Sequence, residues 1–153
     1  MTMRLTYCHK RRATTLVESA FVMSILLLFL FGILEYGRLM MTRQILDNAV
    51  REGARFAIVH TYDKTAIDVQ NVVDQVLGGQ GAQLQGYNKT TSIQVFKVDP
   101  TNGSNLGPWT NAAFGDSIAV TISGTYKPIL PVYIGLPSTI TVQAQCIMKS
   151  EAN

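Results

Sequence analysis

The sequence predicts an α+β protein. A long N-terminal helix, apolar all round in its first half, leads into a small head of one further helix packed on an antiparallel β-sheet. Three observations predict this. Ser19 to Leu34 carries no charge and is preceded at short range by the basic run Lys10-Arg11-Arg12. From Leu39 to Ala57, apolar and small residues recur at intervals of three or four with no proline between them. After Gly81 the texture changes to β-branched, alternating stretches bounded by Asn, Gly and Pro.

Taken in order, Ser19–Leu34 is 16 residues, short of the roughly 20 that cross a bilayer. Thr14–Val17 and Tyr36–Met41 extend it to about 25 residues, enough to span with some tilt. Tyr36 suits an interfacial anchor. No breaker follows, so one helix is expected from about Thr15 to Ile58, roughly 66 Å long at the standard rise. Leu39, Arg43, Leu46, Val50, Gly53, Ala54 and Ala57 form its stripe. The small residues Ala49, Gly53, Ala54 and Ala57 are expected under the head. Gly32, Gly37 and Gly53 are places where it can bend. Glu35 and Arg38 (i,i+3), Asp47 and Arg51 (i,i+4), and Glu52 and Arg55 (i,i+3) are spaced to pair on helix faces. Such charges read either as a solvated surface or as contacts to neighbouring subunits. The chain divides into a basic leader at 1–13, a membrane helix at 14–41, its continuation at 42–59 and a head at 60–153.

Lys10, Arg11 and Arg12 abut the span and hold that end in the cytoplasm, which places the head outside. Arg38, Arg43, Arg51 and Arg55 follow the span but lie among Glu35, Asp47 and Glu52. Glu18 is an acid at the inner edge of this segment, where a charge costs about 2.5–3.5 kcal/mol at the bilayer centre even on lenient scales. It is a functional candidate, with its partner expected in another protein group. A cleaved secretory signal would need small residues in an A-x-A arrangement after the apolar run, and Glu35 to Met41 offers none.

In the head, Thr65 is a candidate N-cap with Asp68 as its capping-box partner. Val69, Val72, Val73, Val76 and Leu77 form an apolar stripe, and Gly78-Gly79 ends the helix. Thr91–Val98, Ser117–Tyr126 and Thr139–Lys149 read as strands, with a fourth near Gly107–Phe114. Asp99 to Asn105 is a turn cluster. Ile118, Val120 and Ile122 share one face. So do Ile140, Val142, Ala144, Cys146 and Met148, which makes Cys146 a small core hydrophobe. Lys127 to Pro137 holds three prolines and reads as an apolar crossover loop, either an exposed subunit contact or packing under the helix.

The formal charge is +3, yet Arg4, Lys10, Arg11 and Arg12 all lie in the first 13 residues, leaving nine basic against ten acidic residues. No basic face remains for nucleic acid. The two cysteines are Cys8 and Cys146, and the two histidines are His9 and His60, too few for a His/Cys metal site. No phosphate loop or nucleophile elbow appears. Asn88-Lys89-Thr90 and Asn102-Gly103-Ser104 fit the glycosylation sequon but read as turns. A non-enzyme is expected, with no cofactor and no small-molecule substrate.

Three blocks resemble one family. Arg11-Arg12-Ala13-Thr14-Thr15-Leu16-Val17-Glu18, Gly32-Ile33-Leu34-Glu35-Tyr36-Gly37-Arg38 and Asn48-Ala49-Val50-Arg51-Glu52-Gly53-Ala54-Arg55 are similar to TadE-family pilin-like proteins of tight-adherence (Tad, or Flp) pilus systems. The resemblance implies a type IV pilin-like fold and an inner-membrane location. It implies a cut by a prepilin peptidase between Ala13 and Thr14, removing the leader. Ala13 stands where family members mostly carry Gly. The expected function is a minor pilin-like structural and assembly subunit that meets other pilin-like subunits and the pilus machinery. In the general pilin picture Glu18 would pair with the new amine of Thr14. The alternative is an unprocessed single-pass accessory protein, a scaffold or chaperone of the same apparatus.

Overall fold

The computed structural model describes residues 9–129, 135 and 137–151, with backbone alone at 9–13 and 82. Helix α1 runs unbroken over His9–Val59, 51 residues. Its end agrees with the expected Ile58, but its start lies six residues before the expected Thr15. Lys, Arg and Ala are strong helix formers and nothing in 9–13 interrupts them. Thr14 to Leu34 is exposed except for the half-buried Gly32, whereas from Glu35 onward α1 packs against the head.

The upper half of α1 buries Leu46, Ala49, Val50, Gly53, Ala54, Ala57 and Ile58. The small-residue stripe therefore sits under the head as expected. Arg43 does not: it is exposed, and Thr42, four residues before Leu46, takes the inward position. The Thr42 hydroxyl lies 3.0 Å from both the Arg38 carbonyl and Gln83 Oε1. Gly53 marks the tightest crossing. A Cβ there would collide with Val73 Cγ2 and lie in contact with Val69 and Val120, so helix, helix and sheet meet where no side chain fits.

Helix α2 covers Ala66–Leu77. Asp68 Oδ2 accepts from the Thr65 N–H and the Thr65 hydroxyl, each at 2.9 Å. Gly78 adopts φ 55° and donates to the Asp74 and Gln75 carbonyls, closing the helix. Val69, Val73 and Leu77 are buried, but Val76 is exposed and Val72 half-buried. The buried face includes Gln70 instead, whose amide donates to the Ile93 carbonyl at 3.1 Å.

The sheet has five antiparallel strands: β1 (Leu84–Gln85), β2 (Ile93–Val98), β3 (Asn105–Gly107), β4 (Ser117–Tyr126) and β5 (Ile140–Lys149). Central β4 pairs along its whole length with β5 on one side. On the other it pairs with β2 and, at Thr125 and Tyr126, with β1. β2 in turn carries the short β3. Strand β5 alternates as expected. β4 does not, since Ile118 through Ile122 are all buried at the centre of the sheet.

Two local expectations are corrected, and one strand is added. Thr91 and Ser92 belong to a helical turn, α3 (Lys89–Ser92), because the Asn88 side chain caps it by accepting from the Thr90 N–H at 3.0 Å. Gly107–Phe114 is not a strand. Pairing stops at Gly107, and Pro108 leads into a 3₁₀ turn that buries Trp109. β1 was not foreseen, being only two residues long. At the far end of the head, the Ser150 N–H donates to the Asp116 carbonyl and the Glu151 N–H to the Ile58 carbonyl, occupying one of the open carbonyls that end α1.

Candidate functional site

Two features of α1 stand out: the uncovered lower half and the polar joint where it meets the head. From Thr14 to Leu34 is about 21 residues, roughly 32 Å of helix, against a hydrocarbon layer of roughly 30 Å. α1 is long and apolar enough to cross a membrane, with mean hydropathy 2.4 in its most apolar window. Leu16, Phe21, Phe29, Ile33 and Leu34 are all more than three-fifths exposed, so the apolar surface runs round the helix rather than along a stripe. Its hydroxyls turn inward: Ser19 donates to the Thr15 carbonyl at 2.7 Å and Ser24 to the Ala20 carbonyl at 2.9 Å. That is how a helix keeps polar groups satisfied where water is absent.

Glu18 is the exception. It is exposed, flanked by Thr15, Ser19, Val22, Met23 and Leu26 along a shallow groove, and its carboxylate has no hydrogen bond or ion pair among the described residues. The peptide between Ala13 and Thr14 lies within α1. Thr14 is exposed. Lys10, Arg11, Arg12 and Ala13 are helical in backbone, and their side chains lie outside the described residues.

At the joint, Glu35 and Arg38 pair at 3.0 Å. Sequence spacing anticipates that pair but not what it grips. The Tyr126 hydroxyl at the end of β4 donates to Glu35 Oε1 at 2.6 Å and accepts from Arg38 Nε at 2.6 Å. Glu35 Oε2 accepts from the Ile129 N–H at 3.2 Å, and Arg38 Nη2 donates to the Lys127 carbonyl at 3.0 Å. The guanidinium also lies 4.8 Å from the Tyr126 ring centre. Glu35 and Tyr126 are 5% and 1% exposed. Burial, and then the bond to Glu35, push the Tyr126 phenol up to about 12. Five polar groups, separated by some 90 residues of chain, thus clasp the head to the helix where the uncovered half begins. The signal available in the sequence was Tyr126 itself, since a buried tyrosine needs a partner for its hydroxyl.

The other predicted pairs are weaker. Glu52 and Arg55 approach to 3.8 Å at an exposed site. Asp47 and Arg51 form no ion pair. Both are exposed beside Gln44 and Asn48, where an i,i+4 pair gains only a few tenths of a kcal/mol against side-chain freedom. Cys146 is half-buried, and burial raises its thiol pKa against the opposing charges of Arg51 and Arg55. In the crossover loop, Pro128 is buried while Lys127, Ile129, Gly135 and Pro137 are exposed. Residues 130–134 and 136 lie outside the described residues.

No curated protein and no solved structure matches the chain. The model of a family described as TadE-like protein matches residues 13–55. That segment holds all but the first two residues of the three blocks read from the sequence and ends with the last of them. It runs from the start of the uncovered helix, across the Glu35–Arg38 joint, to the stripe under the head. Residues 13–55 are therefore TadE-like, which associates the chain with tight-adherence pilus systems.

Proposed function

We propose that the chain is a minor pilin-like structural and assembly subunit of a tight-adherence pilus, anchored by one span in the bacterial inner membrane. The leader faces the cytoplasm and the head lies outside. A prepilin peptidase cuts between Ala13 and Thr14. The subunit works by contacts with other pilin-like subunits and the assembly machinery, without catalysis. The observation that carries this is Glu18, an exposed acid without a partner among the described residues, on a stretch of helix otherwise apolar all round. Lipid covers the helix before assembly and other pilin helices cover it afterwards. Glu18 then meets the amine of Thr14, its own or a neighbour's. In a medium of low dielectric that pair is far better than either charge alone, which fixes the register of the bundle.

A second reading is an unprocessed single-pass accessory protein of the same apparatus. The continuity of α1 through Ala13 and Thr14 favours it, since a peptidase needs that turn unwound. Intact mass and N-terminal sequencing of protein from membranes of cells holding the matching peptidase separate the two. A Thr14 start is expected, and an intact Met1 start rules out processing. Glu18→Ala is expected to leave insertion and protein level unchanged while pilus yield falls. Wild-type yield would discard the assembly role of Glu18.

A further inference from the structure

Directly below the clasp, a groove of about 250 Å³ is lined by Phe31, Leu34, Glu35, Arg38 and Ile129. Its walls are apolar: Phe31, Leu34 and Ile129 are 40%, 62% and 66% exposed. Its rim is the Arg38 guanidinium, 30% exposed. Of the five N–H donors of an arginine, Nε serves Tyr126 and Nη2 serves Glu35 and Lys127, which leaves the two on Nη1 without a partner among the described residues.

We propose that this groove holds one membrane phospholipid, with its phosphodiester on Arg38 Nη1 and the first part of an acyl chain along Phe31, Leu34 and Ile129. The inference rests on the membrane-spanning reading of α1. Position supports it: Arg38 lies just above the roughly 32 Å of uncovered helix, at headgroup height. Charge supports it as well. Guanidinium is the side chain best matched to phosphate oxygens. The acid that also lines the groove is already engaged, for Glu35 is 5% exposed and its oxygens are bonded to Tyr126, Arg38 and Ile129. A free phosphate would gain nothing from three apolar walls continuous with the lipid-facing helix, whereas a phospholipid uses both parts of the site. Tyr36, 63% exposed nearby on α1, suits the same interfacial level.

The test uses the full chain, extracted from membranes in a neutral maltoside and examined by native mass spectrometry, then titrated with dioctanoyl-phosphatidylglycerol or inorganic phosphate. One retained phospholipid per chain is expected, with no competition from inorganic phosphate at equal concentration. Arg38→Gln should lower retention about tenfold, the loss of one charge-assisted contact. Because Arg38→Gln also loosens the clasp, Ile129→Glu provides the second variant. It keeps every polar bond of the clasp, places an acid in the groove, and should lower retention to a similar extent with the head folded by circular dichroism. Wild-type retention in both variants, or displacement by inorganic phosphate, overturns the lipid site. If the chain resists carbonate extraction yet retains no lipid, the site falls and the membrane reading stands. Release into the carbonate wash overturns both.

Discussion

The two halves of α1 are one continuous helix, yet they meet different surroundings. From Thr14 to Leu34 large side chains point in every direction and none of the described residues covers them. From Glu35 to Val59 burial follows one stripe, built toward its upper end from Ala49, Gly53, Ala54 and Ala57, against which a second helix and a sheet come close. The lesson lies in arrangement. All-round apolarity marks a helix whose partner is lipid or other helices, and a narrow stripe of small residues marks one whose partner is its own head. The Glu35–Arg38–Tyr126 clasp stands at the change between them.

The comparison breaks most sharply under matched truncations. Leu46→Ala, at a site 1% exposed, should cost the head about 2–5 kcal/mol. Leu27→Ala, on the uncovered half, should leave the thermal midpoint of the head unchanged. Thermal unfolding of the full chain in neutral detergent, followed by circular dichroism, reads both, and equal losses would show that the halves are not separate in stability. Next comes Gly53→Val, which forces a side chain into Val73 and should cost about 1–3 kcal/mol in the same measurement. An unchanged midpoint would mean that α1 and α2 can move apart.

Tyr126→Phe removes the hydroxyl shared by Glu35 and Arg38, and about 1–2 kcal/mol of head stability is expected to go with it. A pH titration sharpens the point. The Tyr126 phenol keeps its proton in the folded state up to about 12, above the ordinary value of 10, so its contribution is complete below pH 10 and is lost as pH rises from there to about 12. Tyr87, hydrogen-bonded to Asp74 at 2.7 Å and also raised, contributes in the same direction. The alkaline loss should therefore shrink in Tyr126→Phe and shrink further in the double variant with Tyr87→Phe. The smallest effect is expected at Gly37, where a Cβ would meet nothing within 4 Å. Gly37→Ala should change the midpoint only in the stabilising direction, by about 1 kcal/mol or less. A loss there would reveal a bend that the helix needs.

Much of this architecture was legible wherever structure is local. The stripe on α1, the Thr65–Asp68 cap, the Gly78 stop and the alternation of β5 each depend on residues a few positions apart. Reading failed where distant chain decides. Val76 fits the α2 stripe, yet Gln70 joins the buried face because the Ile93 carbonyl needs a donor there. Thr91 is a good strand residue, but Asn88 turns it and Ser92 into a helix first. Glu35 and Arg38 could be paired from spacing alone. That their partner is Tyr126, 91 positions from Glu35, is set by the way β4 runs back along α1, which no periodicity records.

With α1 unbroken through Ala13 and Thr14, a cut there would give the acid at position 18 two electrostatic lives. In the uncut chain Glu18 lies in the interior of a helix that is already formed at His9, beyond the reach of its positive end. A cut before Thr14 would create a new terminus, with an amine, the three free N–H groups after it and the positive end of the helix dipole gathered within about a turn of that carboxylate. One hydrolysis would change the field at Glu18 without moving an atom of the head. A charge held at a loss before the cut would become, after it, the counter-charge of the terminus it sits beside.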